Sequence, residues 1–181
     1  MACVVFGLDL LFLLQMIFFG DGQYFTGLCL IASSASLAWM LFVHPCIHIY
    51  DEGITIVNPL ITATIGWDAI DEIETRFALT IYSDKARVVA WAAPAPGRYH
   101  ARTMHKSEFK GVDYDKDFGV RPGDSTRSHS GVAAHLARTR LAHYRKHGGP
   151  SVKRSGTFNT ALAAVVGVSL LLVAVSQLFS L

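Results

Sequence analysis

Cys46-Ile47-His48-Ile49-Tyr50-Asp51-Glu52-Gly53-Ile54-Thr55-Ile56-Val57-Asn58-Pro59-Leu60-Ile61-Thr62-Ala63-Thr64-Ile65-Gly66-Trp67 is the stretch whose pattern sets the fold. Short runs of β-branched and aromatic residues, broken by turn-forming residues, predict consecutive antiparallel strands. Cys46 to Tyr50 is the first run, Asp51-Glu52-Gly53 the turn, Ile54 to Asn58 the second run. After Pro59, a third run from Ile61 to Trp67 places Ile61, Ala63, Ile65 and Trp67 on one face, because strand side chains alternate. Working toward the C-terminus, Phe77, Leu79 and Ile81 alternate in a fourth run, Ser83-Asp84-Lys85 turns the chain, and Arg87 to Trp91 forms a fifth that ends at Pro94-Ala95-Pro96-Gly97. Between the third and fourth runs, Trp67, Ile70 and Ile73 recur every three residues, the spacing of one helical turn or a bent strand packed on the sheet.

Beyond Gly97 the chain turns polar. The insert near 98–130 holds either further strands or a long loop. It leads into a helix predicted over Gly131 to His147, with Ser128 or Ser130 as N-cap and Gly148-Gly149-Pro150 as its stop. Ala133, Leu136, Ala137, Leu141 and Tyr144 form its expected apolar stripe, with Arg138, Arg145 and Lys146 on other faces. Such a helix either caps the domain or lies on anionic lipid.

Outward from this centre the chain becomes membrane-like. It is 51% hydrophobic and 17% charged over 181 residues, with a mean hydropathy of +0.35, too apolar for an ordinary soluble domain. Ala2 to Phe19, Tyr24 to Val43 and Phe158 to Leu181 each approach the ~20 residues that cross a ~30 Å hydrocarbon core. The first two are joined by Gly20-Asp21-Gly22-Gln23, so residues 1–43 read as a helical hairpin. All sixteen Lys and Arg residues lie between Arg76 and Arg154, which assigns the central domain, 44–147, and the basic linker 148–157 to the cytosol. The N-terminus is then cytosolic, and the last span, within 158–181, carries the C-terminus outside a plasma (inner) membrane. A cleaved signal peptide would need a basic leading segment and no second span directly after it, so the first segment is read as retained; the lack of polar residues before it fits a start upstream of Met1.

The run Gly53-Ile54-Thr55-Ile56-Val57-Asn58-Pro59, followed by Ile65-x-Trp67-x-x-Ile70-x-x-Ile73 and Val88-x-Ala90-Trp91, resembles the bacterial pleckstrin-homology (PH)-like domain of actinobacterial membrane proteins. Arg121-Pro122-Gly123-Asp124-Ser125 before an Ala-rich basic helix is similar to the continuation in such proteins, which commonly carry two N-terminal spans. The resemblance implies a small, strongly bent antiparallel sheet closed by a C-terminal helix, with a non-catalytic binding or assembly role. It carries over no active-site residue. The fold class expected is therefore an α+β membrane protein, three transmembrane helices plus a cytosolic PH-like domain capped by a helix.

Charge is split within the cytosolic part. Three basic residues stand against seven acidic ones up to Gly97, and thirteen against five from Arg98 to Arg154, for net charges of -4 and +8. A basic segment beside an anionic leaflet gains roughly 1 kcal/mol per Lys or Arg held near the surface, although cytosolic loops are basic for topological reasons as well. The candidate headgroup or partner contacts are Arg98, Arg102, Lys106, Arg138, Arg145, Lys146, Lys153 and Arg154. Histidines 100, 105, 129, 135, 143 and 147 would add charge at mildly acidic pH. The basic residues are dispersed and no nucleic-acid-binding motif accompanies them, so a nucleic-acid partner is not expected.

Other constellations are weaker. His44, Cys46 and His48 alternate on one strand face, a cramped ligand set that polar residues at a span's end explain better than a metal does. Asp113, Asp115 and Asp117 lack the glycine and glutamate of a calcium loop. Cys3, Cys29 and Cys46 are too scattered for a disulfide framework and read as free thiols. Asp9 is the ionisable residue inside the spans, a proton-relay candidate or a helix-packing group bonded to Gln15, Ser33 or Ser36. The run Ala32-Ser33-Ser34-Ala35-Ser36 and the Ala163-xxx-Gly167 spacing are close-packing faces.

No phosphate loop, nucleophile elbow or zinc-peptidase motif is present, so no enzyme and no cofactor is expected. The functional expectation is a binding or scaffold module that contacts the anionic bilayer or membrane-protein partners. The alternative is an accessory subunit of a large membrane complex, such as an actinobacterial respiratory supercomplex; a channel or transporter component would need more polar residues in its spans.

Overall fold

The computed structural model describes residues 1–19, 24–83, 86–97, 122–125 and 127–179. In chain order the elements are α1 (Ala2–Phe19), α2 (Tyr24–Ala38), β1 (Cys46–Ile49), β2 (Gly53–Val57), β3 (Ile61–Gly66), β4 (Glu72–Glu74), β5 (Ala78–Ser83), β6 (Ala86–Pro94), α3 (His129–His147), β7 (Ser155–Phe158) and α4 (Thr160–Phe179). They divide into a helical unit, residues 1–45 with the chain from Phe158 onward, and a mixed unit, Cys46–Thr157.

In the helical unit, α2 continues through a wide π turn, Trp39–Val43, and lies against both α1 and α4. The polar groups of these apolar helices bond to one another. Ser34 Oγ donates to Asp9 Oδ1, and Ser36 Oγ lies 3.2 Å from Ser169 Oγ. Hydroxyls in a small-residue run let helices approach and satisfy each other where water is absent. The Ser33-to-Ser36 face is thus used within the chain, whereas a side chain at Gly167 would meet nothing within 4 Å. Asp9 Oδ2 is enclosed without a hydrogen-bond partner among the described residues. Large apolar side chains such as Leu8, Phe25 and Leu171 are 60%, 64% and 63% exposed, the opposite of a soluble protein's core helix. Tyr24–Val43 and Thr160–Gln177, 20 and 18 residues, are long and apolar enough to cross a membrane; the apolar helix Ala2–Phe18 is shorter.

Among the described residues the mixed unit holds two sheets. Strand order in the first is β1-β2-β3-β7, with β1, β2 and β3 antiparallel; in the second it is β4-β5-β6, antiparallel throughout. Alternation explains the core: Ile54 and Ile56 of β2 and Ile65 of β3 are fully buried, as are Leu79 and Ile81 of β5. Trp67, 2% exposed, donates its Nε1 hydrogen to the carbonyls of Tyr50 and Asp51 at 3.2 and 3.0 Å, pinning the β1–β2 turn to the core. The Trp67-to-Ile73 segment satisfies both expectations, a 3-10 turn (Trp67–Ala69) followed by the short strand β4. α3 closes the core with Ala134, Ala137 and Leu141. Gly148, at φ +69°, ends this helix: its N–H bonds back to Tyr144 O at 2.7 Å in a conformation that favours glycine.

Two differences from the sequence reading concern organisation. The stretch read as a linker, 148–157, belongs to the mixed unit. Ser151 bonds to Asp68, Val152 N donates to Glu52 O at 3.1 Å, and Ser155 to Phe158 form β7 beside β3. The helix stripe also differs, as described below. The hairpin turn at residues 20–23, Asp84 and Lys85 of the β5–β6 turn, and most of the polar insert, 98–121, lie outside the described residues, and with them the expectations for Arg98, Arg102, Lys106, His100, His105 and the Asp113-to-Asp117 group.

Candidate functional site

β1 is the edge strand of its sheet, and its alternation separates two chemistries. Ile47 and Ile49 face inward and pack partly against the core, while Cys46, His48 and Tyr50 share the other face. On the inner side, Ile47 and Ile49 meet the N-terminal half of α3 across an open cleft of about 370 Å³, completed by Arg127, Ser128, His129, Val132, Ala133 and Leu136. The helix stripe buried in the core is Ala134, Ala137 and Leu141, with Ala133 and Tyr144 half-buried beside it. Leu136, expected in that stripe, is 51% exposed and stands one turn after Val132, 46% exposed, on the cleft side. Two apolar side chains at i and i+4 off the buried stripe are the sequence signal for this site.

The cleft wall is held by a dense polar network. Ser128 caps α3, its Oγ accepting from Gly131 N at 2.9 Å and donating toward Ser125 O at 2.8 Å, and Ser130 Oγ donates to Gly123 O at 2.8 Å. Asp124 Oδ1 accepts from the buried Thr75 hydroxyl at 2.7 Å and from Arg138 Nη1 at 2.8 Å. Arg138 Nη2 then donates to Ile73 O at 2.8 Å, so one guanidinium joins α3, β4 and the 122–124 turn. A capped, cross-linked helix start makes the apolar wall of the cleft a preformed surface.

The predicted headgroup residues have different fates. Arg138 is spent on Asp124 and Ile73, Arg145 donates to Ile70 O and Asp71 O at 3.1 and 3.2 Å, and Arg154 to Ser83 O at 3.0 Å. Lys146 and Lys153 are exposed. Arg145, Lys146 and His147 also occupy the last turn of α3, where positive charge complements the helix dipole. Three of the eight residues read from the sequence as headgroup or partner contacts thus also hold the domain together.

The possible metal set is divided. His44 Nε2 lies 3.3 Å from Asn159 Nδ2 in the helical unit, whereas Cys46 Sγ lies 3.1 Å from His48 Nε2, with the His48 ring stacked on Tyr50 at a 6.0 Å centroid distance. No group of three or more His, Cys, Asp or Glu residues that could hold a metal occurs among the described residues. The three cysteines are free, Cys29 buried and Cys46 half-buried. Near the second sheet, Tyr82 donates its hydroxyl to Glu74 Oε2 at 3.0 Å, and this bond to an anion raises the phenol above its ordinary range.

No protein-family model matches this chain, and neither a curated protein nor a solved structure is similar to it.

Proposed function

We propose that the protein is a non-catalytic, membrane-anchored binding module of the bacterial PH-like type, whose β1–α3 cleft grips an apolar segment of a membrane-protein partner. In this reading three helices anchor the chain in the plasma membrane, with the N-terminus and the mixed unit on the cytosolic side. The apolar exposed faces of the helices support the anchoring, and two antiparallel sheets closed by a helix support the PH-like assignment. The observation that carries the binding reading is the open cleft itself, walled by Ile47, Ile49, Val132 and Leu136 on a pre-capped helix. Exposed apolar side chains gathered in a concave surface gain by covering one another on association. A protein partner is favoured over lipid because Arg138, Arg145 and Arg154 are engaged within the domain.

The test is purification of the tagged full-length protein from its own membranes in mild detergent, with bound proteins identified and quantified. A membrane protein that co-purifies with the native chain and is lost with Val132→Glu/Leu136→Glu, while the variant unfolds at the native urea concentration, supports the cleft. Retention of the partner by that variant overturns it. Stoichiometric respiratory subunits that survive the cleft substitution would instead identify an accessory subunit held through its spans.

A further inference from the structure

We infer that Cys46, with His48 as its base, is an acyl-acceptor site that takes a long-chain fatty-acyl group from an acyl thioester. The inference rests on the membrane reading above but not on the cleft. Three observations converge. Cys46 and His48 stand at i and i+2 on the outer face of an edge strand, and the thiol sulfur lies 3.1 Å from His48 Nε2. With the imidazole proton on Nδ1, Nε2 accepts the thiol hydrogen, the arrangement in which an adjacent base activates a cysteine nucleophile. Tyr50, at i+4 on the same face, holds its ring nearly parallel to that of His48, with 17° between the planes and 6.0 Å between centroids.

The third observation is position. The span-length helix ends at Val43, and three residues of chain reach at most about 10 Å, so Cys46 stays close to the hydrocarbon boundary whatever the orientation of the domain. A fatty-acyl donor keeps its chain in that same bilayer, which concentrates its thioester carbonyl at the depth of the sulfur. Cys29 is buried within α2, and neither it nor Cys3 has an imidazole bonded to it among the described residues. Cys46 is half-exposed beside His48, which is exposed.

The step is an acyl transfer without redox chemistry. His48 Nε2 takes the proton from Cys46 Sγ, and the sulfur attacks the thioester carbonyl carbon of a fatty-acyl coenzyme A. The new carbon–sulfur bond forms as the bond to the coenzyme A sulfur breaks, and the departing thiolate takes the proton from the imidazolium. The product is an acyl chain on the first residue of β1, lying in the bilayer beside the span. One added chain is a reversible attachment. It would therefore fix the edge strand against the membrane surface rather than anchor the protein.

The experiment uses the full-length protein in proteoliposomes incubated with palmitoyl-coenzyme A, followed by intact-mass and peptide mass spectrometry. The expected result is one palmitoyl group on Cys46, removed by neutral hydroxylamine and absent in Cys46→Ser. His48→Gln should slow acylation about 100-fold, the lower range of general-base contributions. The pH profile of that variant's remaining rate should differ from the native one, because the thiol proton then leaves to solvent and not to the imidazole. A purely structural role for His48 would leave both rate and pH profile unchanged and would overturn the assignment. So would equal labelling of Cys3, Cys29 and Cys46, or a Cys46 adduct that hydroxylamine does not release. Alkaline carbonate extraction of native membranes separates the premises: a protein that is extracted refutes the membrane reading, whereas a retained protein with unlabelled Cys46 refutes the thiol site alone.

Discussion

Replacing Asp124 with alanine removes the one carboxylate oxygen that receives both the Thr75 hydroxyl and the Arg138 guanidinium. Thr75 is fully buried, so its hydroxyl loses its acceptor where water cannot replace it, at about 1–3 kcal/mol. The Arg138 side chain is 41% exposed and keeps Ile73 O as an acceptor, so its lost ion pair is discounted to about 1 kcal/mol. The sum, about 3 kcal/mol, is roughly a hundredfold in the unfolding equilibrium. Asp124→Asn retains an oxygen for Thr75 and loses the charge, so about 1 kcal/mol is expected. The assay is urea unfolding of the full-length protein in non-ionic detergent, read by the emission of Trp67 after Trp39 and Trp91, both more than half exposed, are changed to phenylalanine. Arg138→Ala should lower the midpoint less than Asp124→Ala and leave the binding of short-chain anionic lipid by the detergent-solubilised protein unchanged. Unaltered midpoints for both variants, with that lipid binding lost in Arg138→Ala, would refute the reasoning and return Arg138 to lipid.

Two more outcomes follow from the same contacts. Tyr82 is held protonated by its bond to Glu74, so its phenol ionises at higher pH in the folded chain than in the unfolded one. Its stabilising contribution is therefore complete below about pH 10 and is lost as pH rises through the folded value; urea midpoints measured from neutral to strongly alkaline pH should show this decline in the native chain and lose its Tyr82 component in Tyr82→Phe. At Gly131 a β-carbon would sit 2.0 Å from the Ser125 carbonyl oxygen, so Gly131→Ala must move the start of α3 away from the 122–125 turn, a cost of about 1–3 kcal/mol that the same unfolding assay reads.

The parts of the fold legible in the sequence are those whose stabilisation repeats locally. Ile54 and Ile56, then Ala63 and Ile65, announce strands because alternation alone buries them, and Gly148-Gly149-Pro150 announces a helix end because its conformation is intrinsic. β4 is Glu-Ile-Glu, too short to show a period, and β7 is Ser-Gly-Thr-Phe with every residue exposed. Pairing with β3 at long sequence separation holds β7 in place, and no local pattern reports such pairing. Leu136 was legible as apolar but not as exposed, since a helical stripe tolerates a one-residue shift in phase until its partners are known. The cleft thus required both the buried stripe and the position of β1.

The arginines carry the same lesson into function. Side-chain identity predicts charge, while the availability of that charge depends on which carbonyls a helix is laid against. α3 sets Arg138 and Arg145 against the Ile70-to-Ile73 backbone, where the carbonyl oxygens of Ile70, Asp71 and Ile73 accept from their guanidinium groups. What remains for an anionic surface among the described candidates is chiefly Lys146 and Lys153, roughly 1 kcal/mol each, or about thirtyfold in partitioning together. That is small beside the insertion of even one span-length helix, so in the proposed function lipid charge orients the domain while anchoring comes from the helices. In that proposal selectivity rests on shape, which the β1–α3 cleft supplies through Ile47, Ile49, Val132 and Leu136 beside a helix start fixed by the Ser128 and Asp124 contacts.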